Sequence, residues 1–194
     1  DRVLACTGLM LRSVYGLTET SAPVTAAPAS PPTPIDPATG ALSIGKPIRG
    51  TTIAITDDEG VEVPVGQPGE ICVTGPSVVS GYWRNAAATA EAMKPEGFRT
   101  GDIGFRDSEG WIYIVGRKKD MIVASGFKVW PREIEDVLYT HPAVREAAVL
   151  GVSDPYRGET VKAVLSLKPG AEADPAGIEQ FCRERMAAYK CPRI

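Results

Sequence analysis

The chain has 194 residues, enough to bury the core of one or two domains. Its formal net charge of -3 leaves no basic excess to release counterions, which excludes a general affinity for nucleic acid or an anionic membrane surface. Cys6, Cys72, Cys182 and Cys191 lack paired spacing, which argues against a disulfide framework or a zinc site and for reduced thiols in a cytoplasmic protein. No run approaches the length of a membrane span, and the first residues lack the basic start and apolar core of a signal peptide.

In chain order, a short apolar lead precedes "YGLTET" (residues 15–20), and the proline-rich stretch 21–40 after it reads as a loop, since it supports neither a helix nor a central strand. From Leu42 the pattern turns to β. "TTIAITDDEGVEVPVG" holds two alternating runs around Asp57-Asp58-Glu59-Gly60 and predicts a hairpin, and "GEICVTG" predicts a further strand. The alanine-rich "WRNAAATAEAM" predicts a short helix ended by Pro95 and Gly97. "GDIGFRDSEGWIYIVGR" predicts a second hairpin turning at Asp107-Ser108-Glu109-Gly110, so residues 42–115 form a β-rich body.

The character changes at "GRKKD", which places a boundary near residues 116–119. "PREIEDVLYTH" predicts a helix with Pro131 in its first turn and Ile134, Val137 and Leu138 on one face. "VREAAVLGV" and "ETVKAVLSL" predict strands, the second with Val161, Ala163, Leu165 and Leu167 on one side. "DPAGIEQFCRERMAAY" predicts a helix with a stripe of Ile178, Phe181, Cys182 and Met186 and an outward Glu179–Arg183 pair. Helix, strand, strand, helix is the order of a small α+β domain.

Three stretches carry chemistry. Tyr15-Gly16-Leu17-Thr18-Glu19-Thr20 supplies an aromatic face, a glycine that lets another group approach the backbone, two hydroxyls and a carboxylate; these parts suit a nucleotide phosphate, and equally a strand-to-helix turn. In "FRTGD" a Thr-Gly turn projects Asp102, whose carboxylate can accept from two neighbouring hydroxyls, as on a ribose, or close an Asx-turn. "GRKKDMIVASGFKVWPREIE" joins Arg117, Lys118 and Lys119 to a short strand, a glycine turn at Gly126 and a second strand leading into a helix; an interdomain linker with solvated lysines fits the same pattern. His141 reads as a loop or helix-end residue, Cys182 as core, and Trp83, Trp111 and Trp130 as packing residues, with Trp130 also able to edge a ligand path. Arg157-Gly158 reads as a turn between strands.

The ordered set "YGLTET", "GEICVTG" with "SGYW", "FRTGD" and "GRKKDMIVASGFKVWPREIE" resembles the AMP-forming adenylate-forming superfamily, and the run from "GFKVWPREIEDVL" through "GETVKAVL" resembles its fatty acyl-CoA ligase branch. The resemblance implies an α+β fold: residues 1–117 as the C-terminal part of the large adenylation domain, its distorted β-barrel end, with the nucleotide loop at 15–20, and residues 118–194 as a small mobile domain. It implies that Tyr15 lies against adenine, that Gly16 belongs to the same ATP or AMP site, that Thr18 hydrogen-bonds the α-phosphate, and that Glu19 binds Mg²⁺. Asp102 and Arg117 then hold the ribose of ATP or AMP, Lys119 is the hinge, and Gly126 lines the coenzyme A passage, where Arg157-Gly158 would touch phosphates.

The implied reaction forms an acyl-adenylate from a fatty acid and ATP, then a thioester with coenzyme A. The family's phosphate loop and C-terminal lysine have no match here, and Lys190 belongs to the segment before that lysine, so the expectation is a fragment that is inactive alone. Small-molecule substrates are the expected partners, with no nucleic acid, no transmembrane segment, and room for peripheral membrane contact in a longer parent. A carrier-protein-loading adenylation domain or acyl-AMP ligase, and a non-catalytic interaction module, are the alternatives.

Overall fold

A computed structural model describes residues 2–9, 11–29 and 32–194. Two residues of the expected loop, Ser30 and Pro31, lie outside them. The chain divides into two compact units, Asp1–Val115 and Gly116–Ile194. Both mix helices with antiparallel strands, an α+β composition. No helix among the described residues is long and apolar enough to cross a membrane.

The first unit opens with helix α1 (Arg2–Thr7) and strand β1 (Val14–Gly16), followed by a 3-10 turn, Thr18–Thr20. Strand β2 (Pro23–Ala26) lies between β1 and β3 (Lys46–Pro47) in a three-stranded sheet, pairing Tyr15 with Thr25 and Thr25 with Pro47. This corrects the reading of residues 21–40 as a loop throughout. Pro23 occupies the first strand position, where a missing N–H is tolerated, and the β-branched Val24 and Thr25 behind it are fully buried.

Strand β4 (Thr52–Thr56) and strand β5 (Gly69–Thr74) begin the larger sheet, and helix α2 (Ala86–Ala92) leads into β6 (Met93–Lys94), β7 (Gly97–Arg106) and β8 (Ile112–Arg117). The order is β4-β5-β7-β6, with β8 on β7. The turn at residues 57–60 forms as expected, with the Gly60 N–H donating to the Asp57 carbonyl. Its returning run is not a strand, however: around the bridge Thr56–Glu62 the Asp57 N–H donates to the Val61 carbonyl at 2.9 Å and the Val63 N–H to the Ile55 carbonyl at 2.8 Å, and Pro64 then removes the next donor. The β7–β8 hairpin turns at Asp107, whose Oδ1 accepts from the N–H groups of Glu109 and Trp111. α2 stops at Ala92 rather than at Pro95, because Met93 and Lys94 pair with β7. Val24, Ile53, Ile55, Ile71, Val73 and Ile112 form the core of this unit.

The second unit holds strands β9 (Ile122–Ala124) and β10 (Phe127–Val129), helix α3 (Pro131–Tyr139), strands β11 (Val144–Asp154) and β12 (Gly158–Leu167), and helix α4 (Pro175–Arg183). The sheet order is β10-β9-β12-β11, antiparallel throughout. α3 and α4 pack on it through Ile134, Leu138, Ile178 and Cys182, which meet Ile122, Val129, Val144 and Val161 in one core. Pro131 starts α3, and Asp174 caps α4 by accepting from the Gly177 N–H at 2.7 Å. α4 ends at Arg183, so Met186 reaches the core from the segment beyond the helix, not from its stripe. Glu179 and Arg183 pair across one turn, with Arg183 Nη2 2.6 Å from Glu179 Oε1.

Candidate nucleotide site

The segment Tyr15–Thr20 is built around Thr20, whose side chain is wholly buried. Its Oγ1 accepts from the Leu17 N–H at 2.9 Å and lies 2.9 Å from the carbonyls of both Leu17 and Ala22, which share its proton. One hydroxyl thus closes the 3-10 turn and leaves Thr18 exposed, with Glu19 half-buried beside it. Gly16 has a different use from the one its sequence context suggests. A Cβ there would lie 2.6 Å from the Ala22 carbonyl oxygen and 2.8 Å from Pro23 Cα, so the group that approaches this glycine is the chain's own β2 backbone.

Across the same unit, the Tyr15 hydroxyl donates to Asp102 Oδ2 at 2.6 Å, joining residues 87 positions apart. Asp102 is 7% exposed and lies within β7, not after a free turn. The Thr-Gly pair ahead of it is a bulge in that strand: the β5–β7 register slips between Glu70 and Cys72, and Gly101 takes φ +74. The bulge is fastened by the Thr100 hydroxyl, which donates to the Ile71 carbonyl at 2.8 Å and accepts from the Asp102 N–H at 3.1 Å. The Gly101 N–H donates to Glu70 Oε1 at 3.1 Å, and Arg99 faces the other oxygen of Glu70 at 3.8 Å. Bulges re-aim the side chain that follows, and here that side chain is Asp102.

Glu19 is held from a third place. Its carbonyl accepts from the Val79 N–H at 2.9 Å, and its Oε1 accepts from the Tyr82 hydroxyl at 2.8 Å. This hydrogen bond, ahead of burial, pushes the Tyr82 phenol above its ordinary pKa of 10.0, because the carboxylate favours the protonated form. Tyr82 belongs to "SGYW", where the signal in the sequence is an aromatic residue that carries a hydroxyl. Its neighbour Trp83 does not pack as expected: it is 86% exposed.

Among the described residues no group of three or more His, Cys, Asp or Glu side chains gathers around a point. One carboxylate at an exposed turn fits a magnesium ion whose remaining ligands are substrate phosphates and water, which is how Mg²⁺ is commonly held.

In the second unit, Arg117 is exposed at the end of β8, and Lys119 is exposed in a 3-10 turn, Lys118–Asp120. Gly126 forms the tip of the β9–β10 hairpin with Ser125. Their φ values of +83 and +53 are the two positive angles that a two-residue type I′ turn requires. The Ser125 N–H donates to the Arg157 carbonyl at 3.0 Å, and Ala124 pairs with Gly158, so the Gly126 hairpin and the Arg157-Gly158 turn lie side by side. His141 lies just beyond α3: its Nδ1 accepts from the Ala143 N–H at 3.2 Å, and its ring meets Phe181 edge-on. Lys190 pairs with Glu133.

Residues 1–83 match the AMP-binding enzyme family, and residues 133–194 match the AMP-binding enzyme C-terminal domain. A long-chain-fatty-acid–CoA ligase of Escherichia coli O6:H1 is 43% identical over 194 residues, covering 100% of this chain and 33% of the relative. A 2-succinylbenzoate–CoA ligase of Geobacillus kaustophilus is 40% identical over 186 residues, covering 95% of this chain and 36% of the relative. Among solved structures, ATP-bound MatB from Rhodopseudomonas palustris superposes with a TM-score of 0.87 at 36% identity, over 98% of this chain and 37% of that one. The chain therefore spans about a third of the length of the curated relatives it matches.

Proposed function

The chain belongs to the AMP-binding enzyme family, and from that membership we propose that the protein carrying it is an ATP-dependent ligase that joins a fatty acid to coenzyme A. The supporting observation is the 2.6 Å bond between Tyr15 and Asp102, formed beside the turn that presents Thr18 and Glu19. It gathers an aromatic face, a buried carboxylate, a hydroxyl and a second carboxylate within one unit.

In this reading Asp102 accepts from the ribose hydroxyls and Arg117 adds a contact to the same sugar. Tyr15 lies against adenine, and the Thr18 hydroxyl donates to the α-phosphate. Glu19 holds the magnesium ion, which supplies charge neutralisation at the phosphates. A carboxylate oxygen of the fatty acid attacks the α-phosphorus and pyrophosphate leaves. The coenzyme A thiol then attacks the acyl carbon of the adenylate and AMP leaves, a far better leaving group than hydroxide. Lys119 is the hinge on which the smaller unit reorients between the two steps, and Gly126 with the adjacent Arg157 turn flanks the coenzyme A arm. The fatty-acid choice follows the 43% identity to the long-chain ligase; the 2-succinylbenzoate relative marks acid specificity as the part that varies.

The test is pyrophosphate–ATP exchange on the full gene product containing this chain, with palmitate, octanoate and 2-succinylbenzoate as alternative acids. Exchange driven by a fatty acid and lost in Glu19→Gln supports the proposal. Exchange driven by 2-succinylbenzoate alone refutes the substrate class, and exchange undiminished in Glu19→Gln refutes the site.

A further inference from the structure

We infer that Tyr82 is a positioning residue for Glu19, with Thr89 holding Tyr82 in place; the inference rests on the role proposed above for Glu19. The segment from Val79 to Thr89 grips Glu19 at two points: the Val79 N–H takes its carbonyl at 2.9 Å and the Tyr82 hydroxyl takes Oε1 at 2.8 Å. A glutamate side chain has three rotatable bonds, and a contact at each end of the residue leaves Oε2 aimed in one direction.

The clamp is itself anchored. The Tyr82 N–H donates to Thr89 Oγ1 at 2.9 Å, and the Thr89 hydroxyl donates to the Asn85 carbonyl at 2.8 Å. The Tyr82 carbonyl accepts from the Asn85 N–H at 3.2 Å, and Asn85 caps α2 by accepting from the Ala88 N–H at 3.1 Å. Thr89 packs so closely over Gly81 that a Cβ there would lie 2.5 Å from Thr89 Cγ2. The path from α2 through Thr89 and Tyr82 to Glu19 thus consists of short hydrogen bonds and one close contact. Packing alone does not call for the phenol: Tyr82 is 37% exposed and its neighbour Trp83 is 86% exposed. The hydroxyl's acceptor is the Glu19 carboxylate, 63 residues away in sequence. Displacing a coordinating oxygen by an ångström is costly to a reaction that depends on alignment.

The test compares Tyr82→Phe, Thr89→Val and Glu19→Gln in the full gene product containing this chain. Ring-labelled tyrosine NMR gives a readout independent of activity. The Tyr82 ring resonance, assigned by its loss in Tyr82→Phe, shifts at neutral pH in Glu19→Gln, because its hydroxyl loses the carboxylate it bonds to. In pyrophosphate exchange, Tyr82→Phe lowers the rate by about tenfold, the order expected for losing one hydrogen bond to a charged group. It also raises the Mg²⁺ concentration needed for half-maximal exchange, while the melting temperature stays at the wild-type value. Thr89→Val moves both quantities in the same direction by less. Three results overturn the inference: a Tyr82 resonance indifferent to Glu19→Gln, a wild-type Mg²⁺ dependence in Tyr82→Phe while Glu19→Gln is inactive, or wild-type exchange in Glu19→Gln, which removes the underlying reading as well.

Discussion

Replacing Thr20 by valine keeps the shape of the side chain and removes the hydroxyl that closes the Leu17–Thr20 turn. The Leu17 N–H loses its acceptor at 2.9 Å, and the Leu17 and Ala22 carbonyls lose the donor they share. The Leu17 carbonyl retains the Thr20 N–H at 3.1 Å, so the main loss is one orphaned donor plus one net hydrogen bond. An unsatisfied donor costs about 1–3 kcal/mol and a net bond about 1 kcal/mol, so Thr20→Val should destabilise the first unit by roughly 2–4 kcal/mol. Thr20→Ser keeps the hydroxyl and loses a buried methyl, at a cost of about 1 kcal/mol. Urea titration with pulsed hydrogen exchange and mass spectrometry separates the units: peptides from residues 14–26 report the loss, and peptides from 144–167 act as the internal control. A Thr20→Val protein within about 0.5 kcal/mol of wild type, the usual size of a neutral surface change, would refute the account of this turn, as would a serine variant as unstable as the valine one.

Other predictions follow from the glycines and the thiols. Gly126→Ala should cost about 1–2 kcal/mol in the second unit from its left-handed φ alone, since nothing lies within 4 Å of the added Cβ, and Gly126→Asn should cost less. Gly16→Ala should cost more than Gly126→Ala, because its Cβ meets β2 backbone that cannot move without unpairing from β1; equal losses in a urea titration would contradict this. Burial pushes the Cys182 thiol from its ordinary 9.0 to about 11. Between those values the unfolded chain releases this proton and the folded chain keeps it, so stability falls as pH rises through that window. The alkaline loss, read from melting temperatures between pH 8 and 11, should be shallower in Cys182→Ala.

The parts legible in the sequence are those whose cause is local. The Ser125-Gly126 turn needs positive φ at two adjacent residues, the Asp107 turn satisfies its own N–H groups, and Pro131 and Asp174 mark helix starts by chemistry within one turn. The parts that were missed have distant causes. β2 hides in a proline-rich stretch because its stability comes from pairing with Tyr15 on one side and Pro47 on the other. Asp102 reads as a turn residue because the bulge that aims it is a property of the β5–β7 register. Tyr82 acquires a task only through Glu19, and Gly16 is explained by a strand that starts at Pro23 and that composition argues against. Trp83 shows the converse: large aromatic residues are usually inside, and this one is outside.

Asp102, fixed by Tyr15 and the β7 bulge, is proposed to read the ribose of an adenine nucleotide. Isothermal titration of AMP and 2′-deoxy-AMP into the full gene product containing this chain, and into its Asp102→Asn variant, tests it most directly. The wild type should prefer AMP by about tenfold or more, the worth of one hydrogen bond to a charged acceptor, and Asp102→Asn should largely erase the preference. Equal affinity for the two nucleotides in the wild type, or a preference that survives in Asp102→Asn, would contradict it.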